Sequence, residues 1–427
     1  MPILYNLSIS LYSLLITLAA PLNRKAQKLA TGRRHWQQPF ADKPLDPARP
    51  VAWFHAASLG EFEQGRPVIE AFRATYPAYQ IVLSFFSPSG YEVRKTYAGA
   101  DVVTYLPADT PANARDWMQQ VRPHIAFFIK YEFWYHYLQT LHAGNVPTLS
   151  FSAIFRPNQL FFKPWGGFYR TLLTYFDHIL VQNQESVKLL SSIGITRVTL
   201  AGDTRFDRVA QVAATKRAIP EAAAFVGNTD APDQPTLVVG SAWADDMDVL
   251  IPTLNAFTKP LRVIIAPHEI RDGEIEGWRS QLTAPSIRFS TLGTSDASAR
   301  PAPTDARYLF IDNIGMLTSL YQYGTMAYIG GAFGKGLHNC LEAATFGLPL
   351  LFGPNHQKFQ EAVDLVQQGG AFTVRSTAEL TAIFTHLYEK TPERERAGAV
   401  CRNYVMNNIG ATDLVMQAVA QSIGPTF

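Results

Sequence analysis

At 427 residues the chain is too long for one ordinary core and fits two domains of about 200 residues each. Its 47% hydrophobic and 17% charged residues exclude the composition of a disordered chain, and a formal net charge of +2, with no short helical segment as dense in Lys and Arg as a DNA-reading element, excludes a broad basic field for nucleic acid. The two cysteines, Cys340 and Cys401, have neither zinc-site spacing nor the number needed for a disulfide framework, so a reducing, cytoplasmic setting is expected.

The N-terminus departs from this average. No side chain from Met1 to Asn23 carries a charge, and Ile3 to Leu22 is rich in Leu and Ile. As a helix it places Leu4, Leu7, Leu11, Leu14, Leu15, Leu18 and Leu22 on one broad face, with Asn6, Ser10, Ser13 and Thr17 opposite. The stripe favours an interfacial anchor; a membrane span, for which about 20 residues suffice, and a buried first helix are the alternatives. Arg24, Lys25, Lys28, Arg33 and Arg34 follow, a cluster suited to anionic headgroups that would keep the rest of the chain on the cytoplasmic side. No basic residue precedes the apolar run, which argues against a cleaved signal peptide.

Beyond residue 50, short apolar or β-branched runs alternate with helical stretches, the pattern of parallel sheets wrapped by helices. Strands are predicted at Val51–Ala56, Gln80–Phe86, Asp101–Leu106, Ile125–Ile129, Thr148–Ala153 and His178–Gln182. A second set is predicted at Thr236–Gly240, Leu261–Ala266, Tyr308–Asp312, Met326–Gly330, Pro349–Phe352 and Ala371–Val374. Between them Val209 to Pro235 is helical at first and, past Phe225, a Gly/Asn/Asp/Pro linker. The chain therefore divides into a membrane-associating helix with its basic flank (1–34), an N-terminal Rossmann-like domain (35–225) and a C-terminal one (226–427). The fold class is α/β, two doubly wound parallel-sheet domains facing across a cleft.

In such sheets ligand sites lie where strand carboxyl ends meet helix amino ends, because free N–H groups and a positive dipole converge there. After the strand at Met326 comes Gly330-Gly331-Ala-Phe-Gly334-Lys335-Gly336-Leu-His338-Asn339-Cys340-Leu341-Glu342, whose glycines would let backbone approach a phosphate. The spacing is one short of a P-loop, and Gly336 stands where Ser or Thr would hold magnesium. Glu342 either accepts from ribose hydroxyls or completes a helix cap with Asn339. At the end of the first strand, His55-Ala-Ala-Ser58-Leu-Gly60-Glu61-Phe62 has capping-box spacing; a carboxylate there is also held ionised by the helix dipole and suited to take a proton from an attacking hydroxyl. Asp246-Met-Asp248 has an Asp-x-Asp spacing, but it falls in a first helical turn where acidic residues favour the dipole anyway, so no metal site is assigned.

The segment His55 to Glu61 resembles the "H-x-x-S-x-G-E" start of transferases that attach 3-deoxy-D-manno-octulosonic acid (Kdo) to a lipid A precursor. Further matches are Ser87-Pro-Ser89-Gly90, Tyr105-Leu-Pro-Ala-Asp109, Glu132-Phe-Trp134, Gln182-Asn183, Gly202-Asp-Thr-Arg205-Phe-Asp207, Asp312-Asn-Ile314-Gly315 and the loop to Glu342, spread over nearly the whole chain. The resemblance implies a GT-B fold, a CMP-Kdo donor and inverting transfer to a lipid A precursor, in lipopolysaccharide synthesis at the cytoplasmic side of the inner membrane. It implies no cofactor, no metal and no nucleic-acid partner. By the same resemblance Glu61 is the general base and Arg205 supports the transition state. Pro267, His268, Ile314, Gly315 and Met316 lie near the cytidine; Gly331, Gly334, Asn339, Cys340, Leu341 and Glu342 lie around ribose and phosphate; Ser58, Gly60, Ser89 and Gly90 face the acceptor.

Two departures stand out. Where the family commonly has an acidic residue two before Glu132, this chain has Lys130, so that carboxylate's role either fails or passes to Glu132; Lys130 and Glu132 are both kept as catalytic candidates, with a strand-end ion pair as the structural alternative. The family's "P-R-H" reads Pro267-His268, without the arginine, for which Arg271 is a substitute. A lipid-linked N-acetylglucosaminyltransferase using a UDP-sugar, a nucleotide-sugar epimerase and a non-catalytic membrane adaptor are the alternative functions.

Overall fold

The computed structural model describes residues 2–227, 234–292, 306–334 and 336–424. Lys335 of the glycine loop, and 228–233 of the linker, lie outside the described residues. The chain divides into two units, Met1–Arg208 with Asn408–Phe427, and Val209–Asn407.

The first unit is a seven-stranded parallel sheet of β1 (Val51–Ala56), β2 (Gln80–Phe85), β3 (Val102–Tyr105), β4 (Ile125–Ile129), β5 (Thr148–Ala153), β6 (His178–Val181) and β7 (Val198–Leu200). Its order is β3-β2-β1-β4-β5-β6-β7. Alternate residues feed two cores: Trp53 and Phe128 pack on one face, Phe54 and Phe127 on the other. Both faces are covered, which is why these strands read as continuous apolar runs. The second unit contains β8 (Thr236–Ala242), β9 (Arg262–Pro267), β10 (Ser286–Arg288), β11 (Tyr308–Phe310), β12 (Met326–Ile329), β13 (Leu350–Phe352) and β14 (Ala371–Thr373), in the order β10-β11-β9-β8-β12-β13-β14. All twelve predicted strands form, within two residues at either end. The two that were not predicted, β7 and β10, are three-residue edge strands, too short to show a period.

The division falls at Arg208/Val209, inside the helix Thr204–Ala214, rather than at 225/226. The C-terminal helix Ala411–Ile423 belongs to the first unit, where Val415, Ala418 and Val419 pack in the same core as Phe62 and Phe127. Asp207 holds that helix's start, accepting from the backbone N–H groups of Gly410 (2.6 Å) and Thr412 (2.8 Å) and from the Thr412 hydroxyl (2.8 Å). A contact between residues some 200 apart leaves no local signature in the chain.

The N-terminal helix Pro2–Ala19 buries none of its residues, so it is not a buried first helix. Leu4, Leu7, Leu11, Leu14, Leu15 and Leu18 are each more than half exposed. The inward face is held by polar and aromatic groups instead. Tyr5 donates to Asp109 (2.5 Å), Asn6 Oδ1 meets His136 Nε2 (2.6 Å), and Tyr12 stacks on Phe86 (6.1 Å between centroids). The polar stripe is only half as predicted: Asn6 and Ser13 turn inward with Ile9 and Ile16, whereas Ser10 and Thr17 are exposed. Within the basic flank Lys28 pairs with Glu92 (3.0 Å) and Arg33 lies over the Phe86 ring (4.2 Å), leaving Arg24, Lys25 and Arg34 exposed.

Candidate active site

In a doubly wound sheet the crevice opens at the carboxyl ends of the two strands where the order reverses. In the first unit these are β1 and β4, and the chain of hydrogen bonds that crosses them is the best-defined polar feature of that edge. Trp53 Nε1 donates to Ser84 Oγ (2.8 Å), Ser84 Oγ meets His55 Nδ1 (2.9 Å), and His55 Nε2 meets Glu132 Oε2 (3.1 Å). Trp134 Nε1 donates to the same carboxylate oxygen (2.6 Å). The network is satisfied when Ser84 donates to Nδ1 and the imidazole carries its proton on Nε2, facing Glu132. His55 is fully buried and Glu132 is 8% exposed. Glu132, kept as a catalytic candidate from the sequence, is thus a buried carboxylate that accepts hydrogen bonds from His55 and Trp134. Lys130 directly follows β4 with φ +71°, a conformation unusual for a side-chain-bearing residue, and its ammonium lies 5.3 Å from the centroid of the Tyr131 ring.

Glu61 lies in the first turn of the helix Leu59–Thr75, directly after β1. Ser58 makes no side-chain bond to the helix backbone; its hydroxyl donates to the Glu61 carboxylate. The reciprocal capping box is therefore absent, and the pair is a half-buried acid steadied by a hydroxyl at a helix amino end. Gly60 is exposed beside it. Ser89 and Gly90 follow the adjacent strand β2, in the first turn of Pro88–Arg94. Ser89 is exposed, whereas Gly90 is buried against the Phe85 ring, which a side chain at this position would strike.

Arg205 follows β7. Its Nε donates to Asp203 Oδ2 (2.8 Å), and Asp203 Oδ1 accepts from Gln64 Nε2 (3.0 Å). Gln64 sits one turn beyond Glu61 on the same helix, so the buried Asp203 carboxylate ties the arginine to the element that carries the acid. Gln64 and Asp203 were not singled out from sequence; only the proximity of Asp203 to Arg205 hinted at them.

In the second unit the order reverses between β8 and β12. Asp246 bridges the two, accepting from the N–H groups of Trp243 (3.0 Å) and Gly331 (2.8 Å) and from the Tyr328 hydroxyl (3.0 Å). It is fully buried, and burial raises its pKa, while Asp248 is exposed. The Asp-x-Asp pair does not converge. Among the described residues no group of three or more His, Cys, Asp or Glu is placed to hold a metal. Gly331 has φ +93°, and a side chain there would strike the Gly336 carbonyl, so this position requires glycine.

The loop donors are largely engaged, contrary to expectation. Gly331 N–H goes to Asp246, those of Gly334 and Gly336 to the Gly331 carbonyl, and that of His338 to Gly330. The helix that follows, Leu341–Ala344, is a single turn, so its dipole adds little. The Cys340 and Leu341 side chains are buried, which leaves only their backbone to meet a ligand. Asn339 donates to Glu342 Oε1 (3.0 Å) and accepts from Leu341 N–H (3.2 Å), and Thr318 donates to Glu342 Oε2 (2.5 Å). Thr318 lies two residues after Met316, and Ile314, Gly315 and Met316 line a cavity of about 330 Å³ closed by Arg217, Pro220 and Phe289. No local pattern of residues marks this wall, which tertiary bonds hold: Ile219 N–H donates to the Tyr323 hydroxyl (2.8 Å), and Gln322 Nε2 to the Arg217 carbonyl (2.8 Å).

Pro267 ends β9, and His268 stacks between Trp243 (4.2 Å) and His338 (4.3 Å). Trp243 Nε1 donates to His338 Nε2 (2.8 Å), so that nitrogen is unprotonated. Burial, then the neighbouring His268, lowers the His338 pKa to about 4. Burial also lowers that of His268. Arg271 pairs with Glu269 on the surface and does not join this stack.

The family model described as 3-deoxy-D-manno-octulosonic-acid transferase (kdotransferase) matches residues 33–208, the part that carries Glu61, Glu132 and Arg205. Curated relatives of that name are similar along most of the chain: one from Bordetella pertussis is 25% identical over 402 residues, 90% of each chain, and one from Aquifex aeolicus is 24% identical over 355 residues, 82% of this chain and 89% of that one. Residues 33–208 thus match the Kdo transferase domain, and the chain is similar to Kdo transferases along most of its length. Kdo transferases are glycosyltransferases, and so is this protein. Solved structures agree on the fold. The UDP-GlcNAc 2-epimerase from Neisseria meningitidis bound to UDP-GlcNAc is 13% identical with a TM-score of 0.61, covering 87% of this chain and 100% of that one. The S. aureus MnaA–UDP co-structure is 11% identical with a TM-score of 0.57, covering 88% and 98%. At these identities the likeness concerns fold alone, two doubly wound parallel-sheet domains of the GT-B type.

Proposed function

We propose that this protein moves Kdo from CMP-Kdo to a lipid A precursor, lipid IVA, with inversion at the anomeric carbon, in lipopolysaccharide core synthesis at the cytoplasmic side of the cell inner membrane. The reading that the acceptor is lipid-linked is carried by one observation within the first unit. The exposed apolar helix is docked through Tyr12 on Phe86, Phe86 stacks on Trp134 (4.8 Å), and Trp134 donates to Glu132 at the β1/β4 edge. An element with unburied leucines thus sits beside the strand ends that present Glu61, where a sugar still attached to its lipid would have to be delivered.

Glu61, with Ser58 donating to it, takes the proton from the acceptor hydroxyl as that oxygen attacks the anomeric carbon. Arg205, oriented by Asp203, supplies positive charge to the transition state and to the departing CMP phosphate. His55 and Glu132 position this edge. In the second unit the cavity at Ile314–Met316 receives the cytidine, Glu342 and Asn339 the ribose, and the Trp243–His268–His338 stack forms a neutral wall beside them. No cofactor or metal enters this scheme, and the first and second units act as acceptor and donor domains respectively.

The test is an assay of purified protein with CMP-Kdo and tetraacylated lipid A precursor. Transfer by the wild type, retained in chelator, and a loss of at least about a hundredfold in Glu61→Ala are expected, the low end for a positioned base. Turnover of a UDP-sugar instead of CMP-Kdo, or full activity of Glu61→Ala, would refute the reading.

A further inference from the structure

The segment Arg156–Phe168, which follows β5 at the same sheet edge, is built to hold hydrophobic side chains outward. Its root is fixed in the core: Phe161 is buried against Phe133 (5.0 Å) and Phe155 (5.7 Å). Its backbone is fixed by Arg170, whose guanidinium donates to the carbonyls of Phe161 (3.1 Å) and Lys163 (2.9 Å). Gly166 closes the turn, because a side chain there would collide with the Leu160 carbonyl. A loop pinned at so many points nevertheless presents Trp165 at 68% and Leu160 at 44% exposure. Burying them elsewhere would release about 25 cal/mol for every Å² of apolar surface, so their presentation requires a nonaqueous partner.

The occupant is indicated by continuity. Phe168, at the end of the segment, packs on Tyr5 of the N-terminal helix (5.7 Å), whose flanking Leu4 and Leu7 are both at least 60% exposed. Lys163 and the exposed Arg156 supply positive charge, and a tryptophan beside cations is the composition of a membrane interface. We infer that the Leu160–Trp165 loop is a second membrane-inserting element, entering an anionic bilayer beside the N-terminal helix. The inference rests on the membrane association in the proposed function, not on the sugar transferred.

The test uses the full-length protein and vesicles of phosphatidylethanolamine and phosphatidylglycerol with brominated acyl chains. Of the seven tryptophans, Trp36, Trp53, Trp117 and Trp278 are buried and Trp134 and Trp243 half-buried, so the difference in quenching between the wild type and Trp165→Phe isolates the exposed Trp165. Quenching of the wild type is expected, with at least about half of it lost in Trp165→Phe while vesicle binding persists. The double variant Leu160→Ser with Trp165→Ser should bind vesicles about tenfold more weakly at unchanged melting temperature. Equal quenching in Trp165→Phe, or unchanged binding by the double variant, overturns the loop's insertion while leaving the helix as an anchor. Failure of the wild type to bind vesicles overturns both, and a vesicle-independent dimer lost in the double variant would assign the loop to a second copy of the chain instead.

Discussion

The two units share a sheet architecture and use its reversal point differently. In the first, β1 and β4 are joined by side chains that can carry charge, His55 and Glu132, with Glu61 in the next helical turn. In the second, β8 and β12 are joined by Asp246 gripping backbone N–H groups, and the rings beside it, Trp243, His268 and His338, are kept neutral. The contrast fits a division of labour in which one edge manages protons and the other shapes a binding surface without competing for them.

The largest expected effect tests the second unit. Asp246→Ala removes the acceptor of three donors, two of them backbone, and should destabilise by about 4 kcal/mol in denaturant unfolding; a loss under about 1 kcal/mol would mean the bridge is ornamental. In the first unit, Glu132→Ala strands His55 Nε2 and Trp134 Nε1, with an expected loss of about 2 to 3 kcal/mol and reduced transfer, while CMP binding measured by calorimetry stays unchanged. A change in CMP affinity would break the proposed separation of roles. Smaller still, Asp203→Asn should lower kcat about tenfold with KM nearly unchanged, since it loosens Arg205 without removing it. Equal losses in a variant that keeps the aspartate but alters an unrelated surface residue would deny it that role.

A further effect concerns pH. The unfolded imidazole titrates near 6.5 and folded His338 at about 4. Between those values the unfolded chain binds the additional proton, so stability should fall as pH is lowered from about 6.5 to about 4 and level off below. His268, also lowered, acts in the same direction. His338→Gln should flatten this slope in thermal melts; an unchanged slope would place the titration elsewhere.

The amino-acid sequence alone determined the class of fold, because strands buried on both faces must be written as apolar runs and the helices between them as amphipathic ones. It also showed the uncharged leucine helix and the motif around Glu61. Only tertiary structure decided which edge each motif joins. His55 and Glu132 are 77 residues apart and meet because β4 lies beside β1. The same holds for Gln64 with Asp203 and for the cavity wall at Arg217–Pro220. Spacing could not say whether Ser58 caps a helix or steadies an acid, since both place the same atoms within reach; the hydroxyl's orientation decided it. Nor could it say that Ile9 and Ile16 face the protein while Ser10 and Thr17 face outward, because a periodic stripe defines an axis of asymmetry but not what docks against it.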